Sequence, residues 1–262
     1  MKRPFVADIE AEIAEMENAA ATEANTIDGP VCEAMGVDDK FLSEWIHGVV
    51  LEGAEDAEPY FLEDYPNLKN HTQIAAEEFD RLASLCKIFW YPADRVPSDL
   101  CVCPANIVLK GSRPRIVHDW TRAGLNTHLH IPEVNYGTMD SLLQWVFPGC
   151  HMAGLDFQDC FLHWMVHASS RRRLGVRHPL SNRLGVFLFL PFGLAPAPGI
   201  NDRNIAEVIR VCKLAVGQIN IVAFVDDLRL INEPDQSRTP EEDQTVLSTK
   251  LMQFKSQCER LS

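Results

Sequence analysis

The pattern of apolar and polar positions divides the chain into a helical first third and a mixed body. Residues 1–30 form a polar stretch rich in alanine and glutamate that could be helical, closed by the turn signal Asp28-Gly29-Pro30. This stretch offers little to a core, so residues 1–37 are expected to be an acidic, flexible leader. From residue 38 to about 85 the pattern is helical, with breaks at Pro59 and Pro66. Ile74, Ala75, Ala76, Phe79, Leu82 and Leu85 recur there at helix spacing. Beyond Pro97, residues 101–110 read as a strand, 111–114 as a turn and 115–119 as the returning strand of a hairpin. A short amphipathic helix is expected over 139–147 and a strand over 151–157. A helix should start near Gln158 and fade at Arg171-Arg172-Arg173. Further on come a strand over 186–190, a helix over 200–216, a hairpin over 219–231 and a helix from Thr239 onward. This order predicts an α+β fold with helices packed on one face of an antiparallel sheet.

Composition narrows the class. At 262 residues with 46% hydrophobic content the chain suits a globular protein with one large domain or two small ones. The longest apolar runs, residues 186–190 and 219–225, are far too short to span a bilayer, and no apolar signal segment is visible near the start. No membrane partner is expected. Eight cysteines lack the spacing of a disulfide framework, which suggests reduced thiols and an intracellular protein, cytoplasmic or nuclear.

Charge matters through its distribution. The net charge is −13, but residues 1–80 hold 4 basic and 20 acidic residues, whereas residues 81–230 hold 16 basic and 11 acidic. An acidic leader before a mildly basic body hints that the body meets an anionic partner.

Two local anomalies carry candidate chemistry. Asp226 and Asp227 sit side by side between two apolar strand-like runs, either as a solvated hairpin turn or as buried carboxylates that need a partner. Asp156 closes a second apolar strand, with Asp159 three residues on. Asp159 could equally be an acidic residue in the first turn of a helix. If the two strands lie side by side, Asp156, Asp226 and Asp227 converge at one sheet edge. Clustered carboxylates repel one another, and Mg²⁺ (or Mn²⁺) resolves that repulsion.

Several blocks then acquire a common reading. The run Leu155-Asp156-Phe157-Gln158-Asp159-Cys160-Phe161 is similar to the first palm motif of reverse transcriptases. Leu190-Pro191-Phe192-Gly193-Leu194-Ala195-Pro196-Ala197-Pro198 resembles their second, and Phe224-Val225-Asp226-Asp227 their third. Upstream, residues 104–110, then Arg115-Ile116-Val117-His118-Asp119 and Leu125-Asn126, match the fingers pattern. The blocks occur in the right order over roughly residues 70–232. Their style is closest to gypsy-like or DIRS-like retrotransposon enzymes.

The resemblance implies the fingers and palm of a right-hand polymerase, with the thumb missing. It implies an RNA-directed DNA polymerase (reverse transcriptase) domain, a nucleotidyltransferase that joins dNTPs to a primer on an RNA or DNA template using two Mg²⁺ or Mn²⁺ ions. Asp156, Asp226 and Asp227 would be the catalytic, metal-binding aspartates. Lys110 and Arg115 would grip the triphosphate, a role that suits a basic hairpin, although a solvated basic turn has the same composition. Backbone at Asp159 and Cys160 would lie near the triphosphate. Phe161 would be the aromatic gate under the sugar, or else a core phenylalanine. Phe192 and Gly193 would pack against the nascent base pair. Arg171, Arg172 and Arg173 either contact nucleic-acid phosphates or form a solvated helix end. His163 and His167 fall at a metal-ligand spacing, with no third ligand nearby.

On this reading residues 38–118 are N-terminal helices and fingers, 119–232 the palm, and 233–262 a truncated C-terminal helix of the palm. A full-length element would continue into thumb and RNase H modules. Asn201 departs from the pattern, since many relatives place a large apolar residue there. The alternative is a truncated, inactive or domesticated remnant that keeps the fold as a nucleic-acid-binding or structural module.

Overall fold

A computed structural model describes residues 6–109, 114–217, 219–235 and 237–261. The helices α1 (Val6–Ala24), α2 (Gly29–Ala34), α3 (Asp39–His47), α4 (Pro66–Asn70) and α5 (Thr72–Ser84) come first, then strands β1 (Ile88–Trp90), β2 (Ala105–Val108) and β3 (Arg115–His118). There follow α6 (Met139–Leu143), β4 (His151–Asp156), α7 (Ala168–Arg171), β5 (Gly175–Arg177) and β6 (Leu184–Phe187). Last come α8 (Ala197–Val216), β7 (Asn220–Phe224), β8 (Asp227–Asn232) and α9 (Pro240–Leu261). The fold is α+β, and its strands form three small antiparallel sheets ordered β1-β6-β5, β2-β3 and β4-β8-β7. No described helix is long and apolar enough to cross a membrane.

The chain divides into two compact units that each draw on separated segments. The first takes its described residues from Met1–Thr26, Glu44–Ile131 and Phe161–Ala197, the second from Ile27–Ser43, Pro132–Cys160 and Pro198–Ser262. The two units thus interleave along the chain.

In the first unit α5 behaves as its periodicity requires. Ala75, Ala76, Phe79 and Leu82 are buried on the face that meets β1 and β3. The hairpin β2–β3 forms where the sequence placed it, pairing Ala105 with His118 and Val108 with Arg115. Strands β1 and β5 were not foreseen. Each spans three residues, too few for a period-2 signal to stand out.

The first correction concerns the acidic leader. Residues 6–24 are the helix α1, which packs against α7 with Ile13 and Ala21 each 1% exposed. Even Glu17 is buried, accepting a 2.8 Å hydrogen bond from the Tyr91 hydroxyl and standing 3.5 Å from Arg172 Nε. Burial raises the Glu17 carboxyl above its usual range, while Tyr91 and Arg172 oppose that shift. Long-range pairing of this kind is invisible in a local count of apolar positions.

The second correction concerns the helix expected from Gln158. Asp159 takes φ +52° and ends any regular run, leaving a short 3₁₀ turn at Cys160–His163 and a four-residue α7. Between them Met165 and Val166 are extended, bridging to Phe189 and Val49. His163 and His167 thus share no helix, and His167 instead caps α7 by accepting from the Ser169 N–H.

In the second unit α9 lies on β4 and β8 and buries Leu247 and Phe254. Each such burial is worth roughly 1.5–3 kcal/mol. Its start is fixed by a reciprocal cap. Thr239 N donates to Glu242 Oε2 (2.7 Å) and Glu242 N to Thr239 Oγ1 (3.3 Å), with Pro240 at the first helical position. The sheet contributes Leu228 and Leu230 to this core, at 1% and 0% exposure.

Candidate active site

The hairpin β7–β8 turns through only two residues, Val225 and Asp226. A two-residue hairpin demands positive φ in its turn, and Val225 adopts φ +57°. That conformation is costly for a β-branched residue, and strain of this kind persists only where neighbours hold it. Two hydrogen bonds do so. The Val225 carbonyl accepts from Asn201 Nδ2 on α8 (3.1 Å), and the Asp226 carbonyl accepts from Phe157 N after β4 (3.0 Å).

The ladder then sets the carboxylates. Asp156, the last residue of β4, is directly opposite Asp227, the first of β8, and Asp227 is in turn opposite Phe224 of β7. Cross-strand neighbours carry their Cβ atoms roughly 4.5–5.5 Å apart, so Asp156 and Asp227 share one face of the sheet as like charges. Both are exposed, and Asp226 is half-buried in the turn. Two residues along each strand, and on the same face, lie Gly154 and Arg229. Arg229 places a guanidinium nitrogen 3.2 Å from Asp227 Oδ1. The absence of a side chain at Gly154 makes room for it, since a Cβ there would stand 3.1 Å from that nitrogen.

Beneath the turn, Cys160 is 5% exposed and its thiol donates to Asn201 Oδ1 at 3.0 Å. Burial pushes the thiol up to about 12, with the nearby charges of Asp226 and Asp156 adding to the effect and the Asn201 bond opposing it. Tyr136 is also raised, first by burial and then by Asp202, Cys160 and Asp226, and its ring packs 5.3 Å from that of Phe224. The aspartates thus sit on a solvent-facing rim, next to the buried Cys160–Asn201 pair.

Among the described residues, no three His, Cys, Asp or Glu side chains converge into a ready-made metal cluster. The donor chemistry nevertheless fits a hard divalent cation. The candidates are all carboxylates, two of them held opposite one another by the ladder.

The other expected residues fall elsewhere. Asp159 and Cys160 belong to the same unit as the aspartates. Arg115, Phe161, Phe192 and Gly193 belong to the first unit. Arg115 is exposed at the start of β3, and Lys110 lies outside the described residues. Phe161 and Phe192 meet edge to face at 5.4 Å. Gly193 has φ +91°, and a Cβ there would fall 2.6 Å from the His118 carbonyl, so only glycine suits this close approach. Asn126 holds the loop by donating to the Gly193 carbonyl and accepting from Ala195 N.

The arginine run corrects an expectation. Arg171 is 2% exposed, donating through Nε to the Val166 carbonyl (2.8 Å) and through a terminal nitrogen to Asn18 Oδ1 (2.9 Å). Arg172 binds Glu10 (2.8 Å) and Asp99 (2.9 Å), and Arg173 reaches the Cys101 thiol and the Glu55 carbonyl. These guanidiniums hold α1 and the neighbouring loops, Arg171 from a buried position and Arg172 and Arg173 from half-buried ones. Sequence reasoning also missed two residues. Arg229 had a legible signal, because a period of two puts it on the Asp227 face. Asn201 stood out only as a polar residue at an apolar helix position.

No protein-family model matches the chain, and a search of the curated proteins finds no match.

Proposed function

We propose that the chain is a reverse transcriptase domain, the fingers and palm of a right-hand polymerase that extends a primer on an RNA or DNA template with dNTPs. The observation that carries this reading is the direct pairing of Asp156 with Asp227, with Asp226 beside them in a tight, strained turn. The ordered sequence blocks that resemble retrotransposon enzymes supply the rest.

On this reading Asp156, Asp226 and Asp227 hold the divalent ions. Mg²⁺ or Mn²⁺, when bound, supplies the Lewis acidity for phosphoryl transfer to a primer 3′-hydroxyl. The residues of this chain bind and orient. Arg115 offers an exposed guanidinium suited to a triphosphate. Phe161, steadied by Phe192, offers a ring that a 2′-hydroxyl would clash with, which favours deoxyribonucleotides. The buried Cys160 thiol bonds to Asn201, which in turn holds the turn carrying Asp226.

A second reading has one observation in its favour. The Arg229 guanidinium already pairs with Asp227, as a remnant that keeps the fold without the reaction could tolerate. Primer extension on an RNA template with Mg²⁺ or Mn²⁺ separates the two. Extension that the Asp226→Ala, Asp227→Ala double variant abolishes is the expected result. Folded protein that extends no primer with either ion would leave the remnant reading.

A further inference from the structure

We infer that Asn201 is a positioning residue for the carboxylate turn, fixing Asp226 and Asp227 relative to Asp156. This rests on the assignment of those aspartates as metal ligands above. Asn201 is 0% exposed on α8, yet its carboxamide serves two other elements. The nitrogen donates to the Val225 carbonyl at 3.1 Å, and the oxygen accepts from the Cys160 thiol at 3.0 Å. Asn201 therefore ties the turn that presents Asp226 and Asp227 to the segment that follows the Asp156 strand.

The tie is needed because of the backbone it holds. Val225 is a β-branched residue at φ +57°, a conformation it leaves readily unless its carbonyl is anchored. Phe157 N anchors the next carbonyl, that of Asp226, so the two bonds together fix both turn residues. A large apolar residue at 201, the type the resembled enzymes carry, would fill the space without supplying a donor. In this chain the hydrogen bond takes over the role of packing.

Mn²⁺ binding, followed by the electron paramagnetic signal of the free ion, reads the turn without requiring turnover. Asn201→Leu keeps the branched heavy-atom skeleton and removes the donor, and it is expected to weaken Mn²⁺ binding by about 10-fold or more, as loss of an outer-shell partner does. Val225→Gly removes the strain, so in the Asn201→Leu background it is expected to recover most of that loss. Should Asn201→Leu fail to fold, Asn201→Ala takes its place, removing the donor to Val225 without adding bulk or charge. A folded Asn201 variant that binds Mn²⁺ as the parent does overturns the inference, and so does a loss that Val225→Gly leaves unrepaired. Parent protein whose Mn²⁺ binding requires Asp226 but which extends no primer sinks the polymerase reading and leaves the positioning role standing. Parent protein that binds no Mn²⁺ at these aspartates overturns both.

Discussion

Arg229 holds its guanidinium 3.2 Å from the Asp227 carboxylate, on the sheet face that Asp227 shares with Asp156. The two side chains are 42% and 51% exposed, so the pair is screened and worth only about 0.2–1 kcal/mol. It stands where a cation would bind Asp227. Arg229→Gln is therefore expected to tighten Mn²⁺ binding by roughly 1.5- to 5-fold at low ionic strength. The gain should vanish near about 1 M salt, where the screening length falls to about 3 Å. An ion titration at two salt concentrations reads this, and weaker binding by Arg229→Gln at low salt would show that Arg229 supports the site instead of competing for it.

His118 titrates against the fold. It sits among the rings of Phe79, Trp120 and Phe187, and its Nε2 has no hydrogen-bond partner among the described residues. Burial lowers its pKa to about 3. The unfolded chain then binds the proton more readily than the folded one. The stability held above the unfolded value of about 6.5 is lost as pH falls from there toward the folded value. Within that window the slope approaches roughly 1.4 kcal/mol per pH unit. Urea denaturation at pH 7 and pH 5 should show His118→Phe losing less stability than the parent, and equal losses would disprove the account.

Gly193 and Gly217 separate conformation from space. Both have positive φ, at +91° and +81°, but only Gly193 has a backbone carbonyl where a Cβ would go. Gly217→Ala should cost about 1–2 kcal/mol from the left-handed backbone alone. Gly193→Ala should cost more, because the His118 carbonyl must also shift. Thermal unfolding of the two variants side by side tests the order, and equal penalties would mean the loop relaxes freely.

Arg171 and Arg115 should fail in opposite ways. Arg171→Ala strands the Val166 carbonyl in the interior, while Asn18 is exposed and can turn to water, so the change is expected to cost about 1.5–3 kcal/mol for the one buried charge-assisted bond. It should leave the salt dependence of nucleic-acid binding unchanged. Arg115→Ala should leave stability within about 0.5 kcal/mol and raise the KM for dNTP if the polymerase reading holds. A reduced salt slope in a folded Arg171 variant would restore the phosphate contact that its burial argues against.

Much of the fold was legible where the signal is local. The β2–β3 hairpin, α5, α8, the β7–β8 hairpin and α9 follow from turn residues, caps and apolar spacing within a dozen positions. Asp156, Asp226 and Asp227 were legible for the same reason, since each interrupts or closes an apolar strand. The helix expected after Gln158 failed because Asp159 adopts a left-handed backbone and the next residues bridge to distant strands. Propensity cannot foresee that outcome.

By itself, then, the sequence determined the α+β class, the principal hairpins and helices, and which carboxylates stand at strand ends. Period and turn chemistry act between near neighbours, so they leave their mark in the order of residues. The tertiary structure alone decided that α1 packs instead of remaining a loose leader, that Arg171 is buried, and that Asp156 faces Asp227 in register. It alone gave Asn201 its partners at Val225 and Cys160. Those outcomes depend on burial and on hydrogen bonds between residues far apart in the chain, and such groups acquire their partners only when the chain is folded.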